Sequence, residues 1–165
     1  MMELSEERSK VEDAAREVLV KLLEMMELPS SVVASSGYFL QEEDTEDTIA
    51  LNIEGEDLGI LIGRRGQTLA SLQYLVRVIV GEKTGFQHPI IVDVEGYRQR
   101  RCDNLRNLAW QLAEQVMTRK TSFALEPMSP FDRRVVHLAL INNREVTTRS
   151  TGVAGQRKVV VVPRG

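Results

Sequence analysis

The fold is decided by the stretch from Leu58 to Val80, which reads LGILIGRRGQTLASLQYLVRVIV. Two apolar segments flank the four residues Gly63-Arg64-Arg65-Gly66. The apolar residues after the glycines recur at helical spacing: they are Leu69, Leu72, Val76 and Ile79, with Leu75 widening the stripe. This pattern predicts a helix, a tight turn, and a second helix that begins near Gln67.

The Gly-x-x-Gly turn is a candidate phosphate site. Neither Gly63 nor Gly66 has a Cβ, so the backbone can turn sharply there and another backbone can approach closely. The following helix would leave free N–H groups and a positive dipole end beside Arg64 and Arg65. Two glycines also often mark a plain turn between helices, and that interpretation stays open on these four residues alone. No Walker loop occurs, and no Gly-x-Gly-x-x-Gly follows a strand.

Charge is distributed unevenly along the 165 residues. The chain has a net charge of −3, but residues 1–57 carry 4 Lys/Arg against 16 Asp/Glu, whereas residues 58–165 carry 17 against 8. The basic portion indicates a surface for phosphates. No apolar run is long enough for a membrane span, no signal pattern opens the chain, and Cys102 is the single cysteine. We therefore expect a cytoplasmic protein in a reducing compartment.

The residues around the turn predict the rest of a small α+β domain. Apolar spacing predicts a helix over about 6–27, which Pro29 stops. Alternating patterns predict strands at 31–40, 48–53 and 90–95, separated by a polar turn at 41–47 and a loop at 81–89. In the second strand Ile49, Leu51 and Ile53 share a face, and in the third Ile90, Val92 and Val94 do so.

This order of elements, together with the Gly-x-x-Gly loop, resembles a type II KH domain over residues 6–96. KH domains clamp the backbone of about four nucleotides with that loop. The resemblance implies that Gly63 and Gly66 permit close approach, that Arg64 and Arg65 meet phosphates beside Gln67, and that bases lie in an apolar groove whose lining the spacing does not assign.

From Arg98 onward the chain changes character. One helix carries an apolar stripe, Leu105, Leu108, Leu112 and Val116, with the single tryptophan, Trp110, on the same helix. A lone tryptophan on an apolar helix is more often a core residue than a base-stacking one, so we expect Trp110 in the core. Cys102 lies near the stripe, and we expect an inert buried thiol there.

A short strand at 121–125 precedes a second, strongly capped helix. Ser129 is its natural N-cap, Pro130 fits its first position, and Asp132 completes a pair resembling a capping box. Phe131, Val135 and Leu138 share one predicted face, and the chain closes with a hairpin of strands at 145–151 and 157–162.

Arg133 and His137 are spaced i and i+4 on the face roughly opposite the apolar one. They could form a donor pair for a phosphate or a base edge, or could be two unrelated polar residues on a solvated helix face. The hairpin adds positive charge at Arg149, Arg157 and Lys158.

The second half resembles, over about 97–163, the single-strand nucleic-acid-binding domain named for an arginine and a histidine separated by three residues. Here those residues are Arg133 and His137. A KH domain followed by such a domain is similar to the bacterial Jag family, which implies RNA binding linked to cell-wall elongation and division, and a small single-KH protein as a partner. Many relatives carry an extra N-terminal domain, which we expect this chain to lack. Its final hairpin has Ala154-Gly155-Gln156 before Arg157, where relatives often have Glu-Pro.

The predicted fold is therefore α+β, with a KH domain at 1–96 and an Arg-x-x-x-His domain at 97–165 built on a small antiparallel sheet. The predicted function is non-catalytic binding of single-stranded RNA, with single-stranded DNA as a related ligand. No metal-ligand spacing, cofactor motif or framed nucleophile supports an enzyme. The alternative is a protein–protein adaptor that pairs KH-like sheet edges or docks a basic partner on its acidic N-terminal helix.

Overall fold

The computed structural model describes residues 2–35 and 48–164 and confirms the α+β class. The chain packs as two compact units, one ending at Gln99 and the next beginning at Arg100. The sequence places the domain boundary three residues earlier, between Gly96 and Tyr97, and that boundary stays a prediction.

The first unit has the element order expected from its sequence. In chain order its elements are α1 (Met2–Met25), β1 (Ser30–Ala34), β2 (Ile49–Gly55), α2 (Gly59–Ile62), a 3₁₀ turn (Arg64–Gly66), α3 (Gln67–Thr84) and β3 (Ile90–Val94). Helix α1 buries Val11, Ala15 and Leu19 completely, because residues spaced by four fall on one face. The predicted strand residues beyond Ser35, and the turn at 41–47, lie outside the described residues.

The three strands of the first unit form one mixed sheet. Strand β2 lies in the middle, antiparallel to β1 and parallel to β3. The predicted inward faces are correct, since every member is at most 3% exposed: Ile49, Leu51, Ile53, Ile90, Val92 and Val94. Helices α1 and α3 supply most of the remaining core.

Helix α3 buries a slightly different stripe from the predicted one. Leu69, Leu72 and Val76 are buried as expected. The stripe then continues to Val80, which is 1% exposed, so the prediction of Ile79 was wrong. Leu75 is also outside the core, with 49% of its surface exposed. With 3.6 residues per turn, position 80 falls closer than position 79 to the line through Leu72 and Val76.

The loop before β3 is shorter than predicted. Helix α3 continues through Gly81 to Thr84 and ends at Gly85, which adopts a left-handed conformation with a φ of 74°. The N–H of Gly85 donates to the carbonyl of Gly81 and closes the last turn. A glycine inside the helix was therefore mistaken for its end.

The second unit contains two helices and a three-stranded sheet, and the second of these helices packs against the last two strands. Its elements are α4 (Tyr97–Arg119, which begins in the first unit), β4 (Phe123–Ala124), α5 (Pro130–Leu140), β5 (Val146–Thr151) and β6 (Lys158–Pro163). The sheet has the order β4-β6-β5 and is antiparallel throughout, as the sequence predicts.

Helix α4 corrects two predictions. Leu105, Leu112 and Val116 are buried, but the residue between them is Ala109, at 0% exposed, whereas Leu108 is 40% exposed. Trp110 is 50% exposed, so its expected place in the core was wrong. A small residue faces the core and the large aromatic faces outward. Cys102 is fully buried, as expected.

Helix α5 begins as the sequence predicts. The hydroxyl of Ser129 accepts a hydrogen bond of 3.1 Å from the backbone N–H of Asp132, and Pro130 occupies the first helical position. The Asp132 side chain lies in the core and receives two hydrogen bonds from Arg101 of α4, at 2.8 and 3.2 Å. Leu138 is 54% exposed, so its predicted place beside the buried Val135 was wrong.

Candidate nucleic-acid interface

The Gly-x-x-Gly turn has a backbone that depends on its glycines. Gly63 has φ and ψ angles of 68° and −171°, a region that residues with a side chain essentially avoid. Gly66 has a φ of 80°, and Arg65 between them has a φ of 55°. Three of the four turn residues therefore have positive φ, and a single 3₁₀ turn connects α2 to α3.

Close packing around the turn also leaves no space for a side chain at Gly63 and very little at Gly66. A Cβ at Gly63 would overlap the hydroxyl of Thr68, in the first turn of α3. A Cβ at Gly66 would lie 3.0 Å from the ring of Tyr97, which packs against the core of the first unit. The turn is therefore held from one side by α3 and from another by the aromatic ring.

The charges of the turn lie at the start of α3. The N-cap is Gly66, which has no side chain to pair with the first N–H groups of the helix. Arg64 and Gln67 are exposed, whereas Arg65 is half-buried. The N–H of Gln67 donates to the carbonyl of Arg64. Because the positive end of a helix dipole attracts anions, this end of α3 and the exposed arginine together form a phosphate-binding geometry.

A groove lies along the C-terminal half of α3. It has a volume of about 290 Å³, and its walls include Tyr74, Arg77, Val78, Phe86 and His88. Aromatic and aliphatic side chains with one guanidinium suit a flat ring with a nearby negative charge. This groove is therefore a candidate for the apolar surface whose lining the sequence alone does not assign.

In the second unit His137 is held by β5. Its Nδ1 lies 2.7 Å from the Thr148 hydroxyl and its Nε2 lies 2.8 Å from the Ser150 hydroxyl. Both ring nitrogens are therefore engaged within the protein, and a direct contact of His137 with a ligand stays a prediction. Arg133, one turn earlier, donates at 3.3 Å to the carbonyl of Met128 through one of its nitrogens.

Burial in the second unit lowers the pKa of His137 from its ordinary value, and the nearby positive charge of Arg133 lowers it further. The neutral ring is therefore favoured at pH 7. A neutral imidazole donates through one nitrogen and accepts through the other, and a hydroxyl can serve either role. The two hydroxyls can thus hold the ring in either tautomer.

The basic residues of the hairpin lie apart from Arg133 and His137. Because side chains alternate along a strand, Arg149 projects from the face opposite to that of Thr148 and Ser150, which contact His137. Lys158 pairs with Thr151 in the sheet and shares the outer face with Arg149. Arg157 is exposed just before β6. The second unit therefore offers two basic surfaces, one on each side of its sheet.

Two family models match the chain, in the order of its two units. The KH domain of KhpA/KhpB matches residues 13–93, and the domain named for its arginine-three-histidine motif matches residues 103–163. An RNA-binding protein KhpB from Clostridium symbiosum is 38% identical over 151 residues, which cover 92% of this chain. One from Bacillus subtilis strain 168 is 33% identical over 141 residues, which cover 84% of this chain and 67% of that protein. The chain belongs to the KhpB family.

The match covers only part of the KhpB relatives. The aligned region spans 65% of the C. symbiosum protein, and in the Lactiplantibacillus plantarum KhpB, which is 37% identical over 114 residues, it spans 35%. The resemblance to Jag-like proteins is confirmed at the level of the family, since these relatives and both domain models agree.

Within the described part of the KhpB-family chain, no group of three or more histidine, cysteine or acidic residues is placed to hold a metal ion. None of the helices in that part combines the length and the apolar character needed to cross a bilayer.

Sequence reasoning missed the residues that support the site. Thr68 and Tyr97 close around the turn, and Thr148 and Ser150 hold His137. The spacing of two between Thr148 and Ser150 places both hydroxyls on one strand face, and this feature can be recognised in the sequence. Their hydrogen bonds to His137, which lies on another element, cannot be recognised there.

Proposed function

We propose that this chain is a non-catalytic binder of single-stranded RNA with one contact surface on each unit. The observation that carries the proposal is the turn at Gly63–Gly66, where exposed Arg64 lies at the positive end of α3 and the N-cap, Gly66, has no side chain. This surface neutralises phosphates of a short segment. Bases of that segment lie in the groove beside Tyr74 and Phe86.

Comparison with relatives supports the same ligand. The KhpB relatives are named RNA-binding proteins, and both matched domain types occur here in one chain. A role in cell-wall elongation and division follows only from the resemblance to the Jag family, and we propose it on that basis.

The second contact surface is built around Arg133. In this surface Arg133 meets a phosphate, while His137 keeps β5 in place through Thr148 and Ser150. The second unit, from Arg100 onward, carries 12 Lys/Arg against 5 Asp/Glu, so its field favours an anionic strand. Two weak sites on one chain raise the effective concentration of the strand at each, provided that it spans both.

The test is fluorescence anisotropy of a labelled single-stranded RNA 20-mer, titrated at several salt concentrations. The variants are Arg64→Glu and Arg133→Ala. Matched controls are Arg8→Glu, an exposed arginine on α1, and Arg119→Ala, at the exposed end of α4. Arg65 is left intact because its positive φ makes a substitution there a change of backbone as well as of charge.

We expect salt-sensitive binding by the wild type, weaker binding by Arg64→Glu and Arg133→Ala, and smaller changes in the controls. Each lost phosphate contact should lower the slope of log affinity against log salt by about 0.7 for a single strand. A DNA strand of the same sequence tests the contribution of the 2′-hydroxyl. Absence of binding by the folded wild type at low salt would overturn the proposal.

A protein–protein adaptor is the second candidate, favoured by apolar side chains on the outer face of α3. Tyr74, Leu75, Val78 and Ile79 are between 38% and 64% exposed. Such a face fits an apolar partner, and a small single-KH protein is the partner that the family resemblance implies. Leu75→Ser/Ile79→Ser changes this face outside the groove proposed for bases and should abolish such assembly in size-exclusion experiments. Loss of assembly with intact RNA affinity would separate the two roles.

Pairing through the edges of the first sheet is less well supported. On β3 the outward N–H of Val92 donates to Gln73 Oε1 at 3.1 Å, and the Val92 carbonyl accepts from Arg98 Nε at 3.1 Å. On β1 the Val32 carbonyl accepts from Arg16 at 3.3 Å. The chain's own side chains therefore occupy backbone groups that a partner strand would need.

A further inference from the structure

Strand β5 is an edge strand with a defined set of outward backbone groups. In the sheet order β4-β6-β5, strand β6 lies on one side of it. The N–H of Arg164 donates to the carbonyl of Glu145, which fixes the hydrogen-bonding phase of the hairpin. Residues 145, 147, 149 and 151 therefore bond to β6, and Val146, Thr148 and Ser150 direct their N–H and C=O groups away from it.

Only the first of these three residues is capped by side chains. The N–H of Val146 donates to Asn143 Oδ1 at 3.1 Å, and its carbonyl accepts from Arg164 Nε at 2.9 Å. For Thr148 and Ser150, no residue among 2–35 and 48–164 fills these roles. Thr148 and Ser150 therefore present backbone N–H donors and carbonyl acceptors in alternation along the open edge of β5.

The surroundings of this edge favour a nucleic acid as its occupant. The hydroxyls of Thr148 and Ser150 bind the ring of His137, which fixes the strand at these two residues. Arg133 precedes His137 by one turn of α5, and Arg149 projects from the opposite face of β5, so the strand carries a basic residue on each of its two sides. A negatively charged strand can contact either arginine while a base turns toward the strand edge.

The Watson–Crick edge of an unpaired base carries a hydrogen-bond donor beside an acceptor, which is the complement of an open strand edge. In a duplex the same atoms are already paired, so an edge of this kind selects single strands. Phosphate contacts alone do not make that distinction, because they carry no information about bases.

We propose that the backbone of Thr148 and Ser150 hydrogen-bonds the Watson–Crick edge of an unpaired base in the bound strand. The inference rests on the proposed RNA-binding function and names the groups that make it selective for single strands. His137 is a positioning residue here, since it acts through the two hydroxyls of β5.

Proline substitution tests the backbone groups directly. Proline has no N–H and is tolerated on edge strands where the N–H faces solvent. Ser150→Pro removes both the outward N–H and the hydroxyl, whereas the control Ser150→Ala removes the hydroxyl alone. Thr148→Pro and its control Thr148→Val form a second pair. Each variant would be titrated with a mixed-sequence RNA 12-mer and with a 12-mer of abasic residues that keeps the phosphates.

Relative to its control, each proline variant should bind the mixed-sequence strand about threefold to tenfold more weakly, the effect of one lost hydrogen bond. The abasic strand should bind proline and control variants equally. If the wild type binds RNA and the members of each pair do not differ, this inference fails while the proposed function stands. If the wild type binds no RNA, both fail.

Amide hydrogen exchange of the wild type provides a measurement that no folding defect can affect. In the free protein the amides of Thr148 and Ser150 should exchange quickly, whereas those of Thr147 and Arg149 are protected by the sheet. Adding the mixed-sequence strand should slow exchange at Thr148 and Ser150, and the abasic strand should not. Protection that grows with protein concentration in the absence of RNA would instead identify self-pairing of β5 and overturn the inference.

Discussion

The ion pair between Arg101 and Asp132 should dominate the stability of the second unit. The Asp132 side chain is 5% exposed and the Arg101 side chain 25% exposed, with an N–O distance of 2.8 Å. Arg101→Ala would leave a buried carboxylate without this partner. Removal of one member of a buried pair costs about 3 to 5 kcal/mol. Because the arginine is partly exposed, we expect the lower end of that range, about 3 kcal/mol.

A matched control lies one and a half turns further along the same helix. Arg106 pairs with Asp103 at 3.1 Å, but those side chains are 47% and 52% exposed. Arg106→Ala makes the same chemical change in α4 and should cost below about 1 kcal/mol, because water screens the pair. The comparison removes the effect of helix propensity.

Urea unfolding followed by tryptophan fluorescence measures both variants. Trp110 is the only tryptophan of the chain and lies in α4, so the signal reports the second unit. Adding Asp132→Asn to Arg101→Ala should recover part of the lost stability, since it removes the unpaired charge at nearly constant volume. The reasoning is refuted if Arg101→Ala costs no more than Arg106→Ala, or if the added asparagine makes the loss larger.

Three further predictions concern single positions. Gly63→Ala should destabilise the first unit by about 1 to 3 kcal/mol because of its backbone angles, and more than Gly85→Ala, which meets open space, as measured by calorimetry; equal losses would contradict this. Ser129→Ala should cost about 1 kcal/mol in the tryptophan-detected unfolding, and Ser129→Asp much less. The lowered pKa of His137 means that the unfolded chain gains a proton first as pH falls below about 6.5, so the second unit should lose stability there. His137→Gln should remove that loss between about pH 7.5 and 5.5, and an unchanged loss would assign it elsewhere.

Features set by short-range spacing were predictable from the sequence. The turn at Gly63–Gly66 and the capped start of α5 at Ser129 depend on residues within four positions of one another. The alternating strands of both sheets were predictable for the same reason. In each case the residues that determine the local backbone conformation are close together in the sequence.

Which residues of the long helices are buried was less predictable, because these helices carry apolar residues on more than one face. Helix α3 carries Leu75 and Ile79 outside the core, and α4 exposes Leu108 and Trp110 while burying Ala109. Which side of such a helix faces the core depends on how closely the neighbouring backbones approach. A small residue such as alanine permits the closest approach, and its hydrophobicity alone does not reveal this role.

The sequence indicated candidate site residues but not their arrangement. Arg133 and His137 share a helix face, and their spacing made the pair visible. The partners of His137 lie 11 and 13 residues away on another element, and this contact depends on how α5 packs against β5. Alternation along β5 places Arg149 on the opposite face, and which face α5 covers is determined by the tertiary fold.

The contacts of Arg98 determine where the first unit can be cut. Its guanidinium reaches the Val92 carbonyl and, at 2.8 Å, the amide oxygen of Gln73, while its N–H donates to Asp93 Oδ1 at 3.2 Å. A fragment ending at residue 96 lacks all three bonds, so the Val92 carbonyl at the edge of β3 loses its partner. A fragment that continues past Arg98 keeps these bonds, which hinder edge-to-edge pairing of β3 with another molecule. The first turn of α4 thus serves the solubility of the domain that precedes it.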